Sequence, residues 1–125
     1  MGDGEGCVAV GSAYYDGWGV RQSHEKAFQY HKKACDLGHG NGCAKVGGAY
    51  YLGEGVKKSY TKAFQYIKKA CELGDGSGCG VLGALYHNSK SVKQNIPKAK
   101  ELYGKACDLG EQIGCDYYKK LKEGY

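Results

Sequence analysis

Cysteine falls on a single ruler in this chain. Cys35 and Cys43, Cys71 and Cys79, and Cys107 and Cys115 are each 8 residues apart, and each pair lies 36 residues beyond the last. A fixed period of this size marks a stacked array, in which each unit buries its apolar face against its neighbours. The remaining sequence keeps the same frame. Ala34-Cys35-Asp36-Leu37-Gly38 returns as Ala70-Cys71-Glu72-Leu73-Gly74 and as Ala106-Cys107-Asp108-Leu109-Gly110. Lys26-Ala27 returns as Lys62-Ala63 and Lys98-Ala99. The units run over 6–41, 42–77 and 78–113, with a C-terminal capping helix over 114–125. The 125 residues form one solenoid domain.

Each unit holds two helical segments. Cys43, Val46, Gly47, Tyr50 and Tyr51 recur at i, i+3, i+4, i+7 and i+8, the spacing of one helix face, and Cys7, Val10, Gly11, Tyr14 and Tyr15 repeat it. Tyr15 and Tyr51 are core or groove-facing, and periodicity alone favours the core. Glycine costs a helix interior about 1 kcal/mol relative to alanine, so its return at Gly11, Gly47 and Gly83 predicts a close approach of two backbones. Gly53-Glu54-Gly55 ends the segment. The second segment starts at Ser23, Ser59 or Asn95, all residues that cap helix N-termini, and Pro97 falls in a first turn. Ala63, Tyr66 and Ala70 follow at helical spacing. The fold predicted is all-α: a right-handed α-solenoid of antiparallel helix pairs. No run is long and apolar enough to span a membrane.

Paired cysteines in a small domain indicate disulfides and an oxidising compartment. The spacings of structural zinc sites are absent, and His24, His31, His39 and His87 do not follow the repeat, so neither metal nor cofactor is expected. Spacing alone leaves the connectivity open. A Cys35–Cys43 bridge closes a short loop worth about 2.6 kcal/mol and a Cys43–Cys71 bridge a longer one worth about 3.6, too small a gap to decide.

The residues quoted resemble the Sel1-like repeat, a relative of the tetratricopeptide repeat, and in particular the Helicobacter cysteine-rich protein family. The resemblance spans Gly2 to Cys115 and rests on the cysteine pair, the Gly-x-Gly-Val loop (Gly17-Trp18-Gly19-Val20, Gly53-Glu54-Gly55-Val56) and Lys-Ala-Cys-x-Leu-Gly. The third unit departs from the pattern. Ser89-Lys90-Ser91-Val92 replaces the glycine loop and Lys100 replaces Phe28 and Phe64, so this unit is expected to be less regular. The resemblance implies the short pairing in every unit (Cys35–Cys43, Cys71–Cys79, Cys107–Cys115), with Cys7 a free thiol open to dimer formation in an otherwise monomeric chain. It also implies secretion or a periplasmic location and a repeat-built interaction surface. Some relatives are catalogued as slow β-lactamases, which implies β-lactams as a second ligand class.

With that pairing, Gly2-Asp3-Gly4-Glu5-Gly6-Cys7 matches Gly74-Asp75-Gly76-Ser77-Gly78-Cys79, and Met1 stands in the place of Leu37 and Leu73. The expectation is an array cut from a longer one, which also accounts for the missing signal peptide. At the other end, Lys119 occupies the glycine position of Gly11, Gly47 and Gly83, as expected of a polar cap.

Two Ser-x-x-Lys motifs, Ser23-His24-Glu25-Lys26 and Ser59-Tyr60-Thr61-Lys62, mimic the nucleophile motif of penicillin-recognising enzymes. Their third copy carries Asn95. The property that Ser, Ser and Asn share is helix capping, so no catalytic residue is assigned. The Gly-x-Gly loop follows no strand and is read as a helix end, not a phosphate cradle.

By the resemblance, the first helix of each unit lines a concave groove. Ala9, Lys45 and Val81 correspond in register, as do Asp16, Leu52 and Asn88; they differ between copies, so stacking does not dictate them. The groove expected on this basis contains Asp16, Lys45, Leu52 and Asn88, with Tyr15 and Tyr51 as its aromatic members if they leave the core. Its ligand is an extended peptide or protein segment, or a peptidoglycan-like cell-wall fragment. The net charge of +5 and the in-frame lysines (Lys26, Lys62, Lys98; Lys33, Lys69, Lys105) suggest solvated ladders or attraction to anionic partners. Nucleic acid is disfavoured by the oxidising setting.

Overall fold

The computed structural model describes residues 3–89 and 92–124. Among these residues seven helices follow in order: α1 (Asp3–Asp16), α2 (His24–Asp36), α3 (Gly40–Leu52), α4 (Tyr60–Glu72), α5 (Gly76–Asn88), α6 (Ile96–Asp108) and α7 (Gln112–Lys122). Pairs α1/α2, α3/α4 and α5/α6 pack as hairpins, α2/α3, α4/α5 and α6/α7 pack across the repeat junctions, and α1 touches α3 as α3 touches α5. The architecture is an α-solenoid.

The helix ends explain the recurring sequence. Ser23, Ser59 and Asn95 cap α2, α4 and α6 by accepting from the backbone N–H of Lys26, Lys62 and Lys98. Ala-Cys-x-Leu-Gly closes each second helix as a Schellman motif. Gly38 N donates to Cys35 O at 2.9 Å and His39 N to Ala34 O at 3.0 Å, with Gly38 at φ 84°, and the pattern returns at Gly74 and Gly110. The next helix begins at once, with Asp75 accepting from Gly78 N at 2.9 Å.

This tight reversal sets up the disulfides. Cys35–Cys43, Cys71–Cys79 and Cys107–Cys115 are bonded, each with Cα atoms 4.5 Å apart. So close a crossing leaves no room for a side chain beside the second cysteine. A Cβ on Gly42 would lie 2.7 Å from Ala34 Cβ and 2.9 Å from both Cys35 N and His31 O; Gly78 and Gly114 meet Ala70 and Ala106 in the same way. The tightest backbone approach therefore sits at Gly42 and Gly114, while the expected positions Gly47 and Gly83 also meet backbone, at Ala63 O (3.2 Å) and Ala99 O (3.3 Å). At Gly11, Gly47 and Gly83 the space is filled chiefly by a side chain from the second helix: His31, Ile67 and Tyr103.

The core runs along the junctions, through Cys35, Cys43, Val46, Ala63 and Ala70 in one cluster and Ile67, Cys71, Cys79, Leu82 and Leu102 in the next. On α4 the buried stripe is Ala63, Ile67, Ala70 and Cys71, while Tyr66 is half-buried and stacks on Tyr50. Tyr15 and Tyr51 are not core: they are 38% and 44% exposed, each meeting only the first residue of the second helix, His24 or Tyr60, by one ring face. The first unit lacks the covering of the others. Val10 is 41% exposed, whereas Val46 is fully buried and Leu82 is 3% exposed; Cys7 is buried but unpaired. In the third unit α5 ends at Ser89 in extended backbone, where α3 ends at Gly53 in the left-handed region, so this unit is less regular there. Lys90 and Ser91 of that loop lie outside the described residues, as do Met1 and Gly2 of the expected start. Among the described residues no helix is long and apolar enough to cross a membrane.

Candidate functional site: a groove along the first helices

Three cavities lie in a row between successive first helices, each floored by the second helix of the hairpin. The first, about 360 Å³, lies between α1 and α3 over α2 and includes Tyr15, Asp16, His24, His31, Lys45 and Glu54. The second, about 710 Å³, lies between α3 and α5 over α4 and includes Tyr51, Leu52, Tyr60, Phe64, Val81 and Asn88. The third, about 310 Å³, lies between α5 and α7 and includes Val81, Tyr103, Glu111, Ile113 and Tyr117. Gly48 and Leu52 are shared by the first two, and Ser77, Val81, Ala84 and Asn88 by the last two, so adjacent cavities share a wall and the three form a grooved row along the first helices.

All six residues expected from the sequence line it: Tyr15, Asp16 and Lys45 the first cavity, Tyr51 and Asn88 the second, and Leu52 the wall between. The floor was not expected. Phe28 and His31 on α2, Phe64 and Ile67 on α4, and Tyr103 on α6 supply it. The signal was present, since His31, Ile67 and Tyr103 share a register and differ in kind. Applied to the second helix, comparison between copies would have found them.

The cavities differ in chemistry. In the first, the Tyr15 hydroxyl donates to Glu54 Oε1 at 2.7 Å and its ring stacks on His24 with centroids 4.8 Å apart. That hydrogen bond, then burial and the nearby carboxylates, raises the phenol pKa. His31 is 5% exposed and its Nε2 is buried with no hydrogen-bond partner among the described residues. Burial, then the Lys45 ammonium, lowers its pKa to about 4, against a raising hydrogen bond with the Val8 backbone. Among the described residues no charged side chain lines the central cavity, and Tyr51, Leu52, Tyr60 and Val81, which do, are each over 40% exposed. In the third, Tyr103 stacks on Tyr117 with centroids 5.0 Å apart, and burial raises its pKa.

The in-frame lysines line none of these three cavities. They lie on the second helices: Lys26 sits over the Tyr14 ring at 5.4 Å, Lys62 over Tyr50 at 5.6 Å, and Lys98 pairs with Glu101. This also accounts for Ser-x-x-Lys. The Ser23 and Ser59 oxygens accept from the backbone N–H of Lys26 and Lys62, whose ammonium groups lie on aromatic faces.

Helical hairpins locked at each junction by a disulfide, with a groove along their first helices, define a cysteine-clamped α-solenoid. The Sel1 repeat model matches residues 4–39, 40–75 and 78–111, and the chain belongs to the Sel1 repeat family. Among solved structures it is similar to Helicobacter pylori cysteine-rich protein B, with 40% identity, a TM-score of 0.77, and coverage of 90% of this chain and 80% of that one. It is similar to a Sel1 repeat protein of Oxalobacter formigenes, with 27% identity and a TM-score of 0.83 over 89% of this chain and 45% of that one. A protective antigen of uropathogenic Escherichia coli with an SLR fold matches at 25% identity and a TM-score of 0.86, over 97% of this chain and 26% of that one. The chain thus spans less than half the length of the last two. No sequence among the curated proteins matches it significantly. Sel1 repeats typically mediate protein–protein interaction, and the three disulfides are consistent with an extracytoplasmic setting.

Proposed function

We propose that this chain is a protein-interaction module of a secreted or periplasmic protein and that it holds an extended segment of its partner along the groove. The observation that carries this reading is the contrast in register. Positions that close the junctions repeat with little change, whereas Lys45 and Val81, or Asp16, Leu52 and Asn88, change from copy to copy and line the groove. Exposed tyrosine and leucine in a concave, largely preformed surface suit a peptide, because such side chains offer area at low entropic cost. The β-lactam reading gains no support from Ser23 or Ser59, since both hydroxyls serve as caps.

The test is selection of binders from a displayed random-peptide library, followed by titration of the selected peptide. Tyr51→Ala with Leu52→Ala is expected to weaken binding by at least about tenfold, the loss of a central pair of buried contacts. Undiminished binding by this folded double variant refutes the groove.

A further inference from the structure

The outer face of α1 presents half of an interface that the molecule completes at each of its junctions. Gly42-Cys43 of α3 meets Ala34-Cys35 of α2, and the same contact returns at Gly78-Cys79 on α4 and at Gly114-Cys115 on α6. On α1 that register is Gly6-Cys7, with Val10 one turn on. Among the described residues a Cβ on Gly6 would meet nothing within 4 Å, Cys7 has no bonded partner, and Val10 is exposed where Val46 and Leu82 are buried. The loop after α1 is open in the same way. In the second unit Gly55 lies so close to the start of α2 that a Cβ there would overlap the His24 carbonyl, and Val56 packs against the core. In the first unit Gly19 meets nothing within 4 Å, Val20 is exposed and Trp18 is 82% exposed. One helix, α2, fills both positions in the second unit, its last turn at Gly42 and its first at Gly55. The open face of the first unit therefore has the length of one second helix.

We infer that this face is an interaction surface for the second helix of another hairpin of this kind, one whose last turn reads Ala-Cys, and that Cys7 takes that cysteine in a disulfide. The occupant follows from continuity with the junctions, which show in the same molecule what fits a Gly-Cys face. Alanine precedes the cysteine because the crossing is close. A Cβ on Gly42 would lie only 2.7 Å from Ala34 Cβ, so a larger residue in place of the alanine would strike the facing backbone. The bond forms by exchange with a partner whose cysteine arrives as a mixed disulfide with a small thiol. The Cys7 sulfur attacks the partner's sulfur, one S–S bond replaces another, and the small thiol leaves with the proton that Cys7 gives up. The inference is independent of what the groove holds.

The test adds to the whole chain a capped peptide of residues 23–38, which is α2 with its cap, its Cys35 carried as the mixed disulfide with glutathione. Mass spectrometry with proteolytic mapping follows the products without denaturant. The expected product is the peptide joined to Cys7 with glutathione released, formed at least about tenfold faster than with an Ala34→Trp peptide, whose ring has no room beside the Gly6 backbone. Val10→Asp in the chain, a change at an exposed position, is expected to slow capture by about tenfold through loss of the apolar contact, with the melting temperature unchanged. Absence of any peptide adduct, transfer of glutathione to Cys7 in place of the peptide, or equal capture of the Ala34→Trp peptide overturns the inference.

Discussion

His31 stands where the next two units carry Ile67 and Tyr103, so one register position is filled by an imidazole, an alkyl chain and a phenol in turn. Only the imidazole is left with a buried nitrogen unpartnered. Its pKa falls from 6.5 to about 4, so the folded chain binds this proton more weakly than the unfolded chain. The stability this represents, about 3 kcal/mol, is complete above pH 6.5 and is lost as the pH drops from there to about 4. His31→Ile is expected to remove that slope and to add about 1 kcal/mol at neutral pH by deleting the unsatisfied group. Urea denaturation near pH 7 and at about pH 4.5 measures both, and an unchanged pH slope in the variant would refute the assignment. The caps are a second residue-scale case. Ser59→Ala removes the acceptor for Lys62 N and is expected to cost about 1 kcal/mol. In the Ser23→Ala, Ser59→Ala double variant, any nitrocefin turnover by the parent should persist; its loss would restore the catalytic serine.

Within single helices, glycines of identical composition carry opposite consequences. Gly42 of α3 has Ala34 Cβ and two backbone atoms within 2.9 Å of where its Cβ would sit, whereas Gly48, two turns on, has nothing within 4 Å. Gly42→Ala is therefore expected to destabilise by about 3 kcal/mol, since backbone cannot step aside. Gly48→Ala is expected to stabilise by about 0.5–1 kcal/mol through helix propensity alone. Gly6 shares Gly42's register but meets nothing within 4 Å, so Gly6→Ala should be tolerated. Thermal melts of the three variants give the ranking directly. Comparable losses in all three would mean that propensity, not the junction, governs these sites. The same element-scale logic explains why helix periodicity read Tyr15 and Tyr51 as core. An apolar stripe shows which residues share a face, but not how much of that face a neighbour covers.

In the molecule as a whole, each disulfide ties a second helix to the next first helix, so the bridges reinforce stacking between units. Replacing Cys71 and Cys79 by alanine is expected to cost about 2–3 kcal/mol, read from denaturant melts against the parent. Thiol titration offers an independent check. Cys7, buried and unpaired, should give one reactive thiol in denaturant without reductant, and reduction should raise the count to the 7 cysteines of the chain. More than one before reduction would contradict the pairing. The sequence by itself determined the 36-residue period, the hairpins, their caps and the positions free to vary, because these follow from local spacing and from residue types that act on their own backbone. Tertiary structure alone decided that Gly42 takes the backbone approach while Gly47 receives Ile67, and that Tyr51 faces a groove. Those outcomes depend on which helix lies against which.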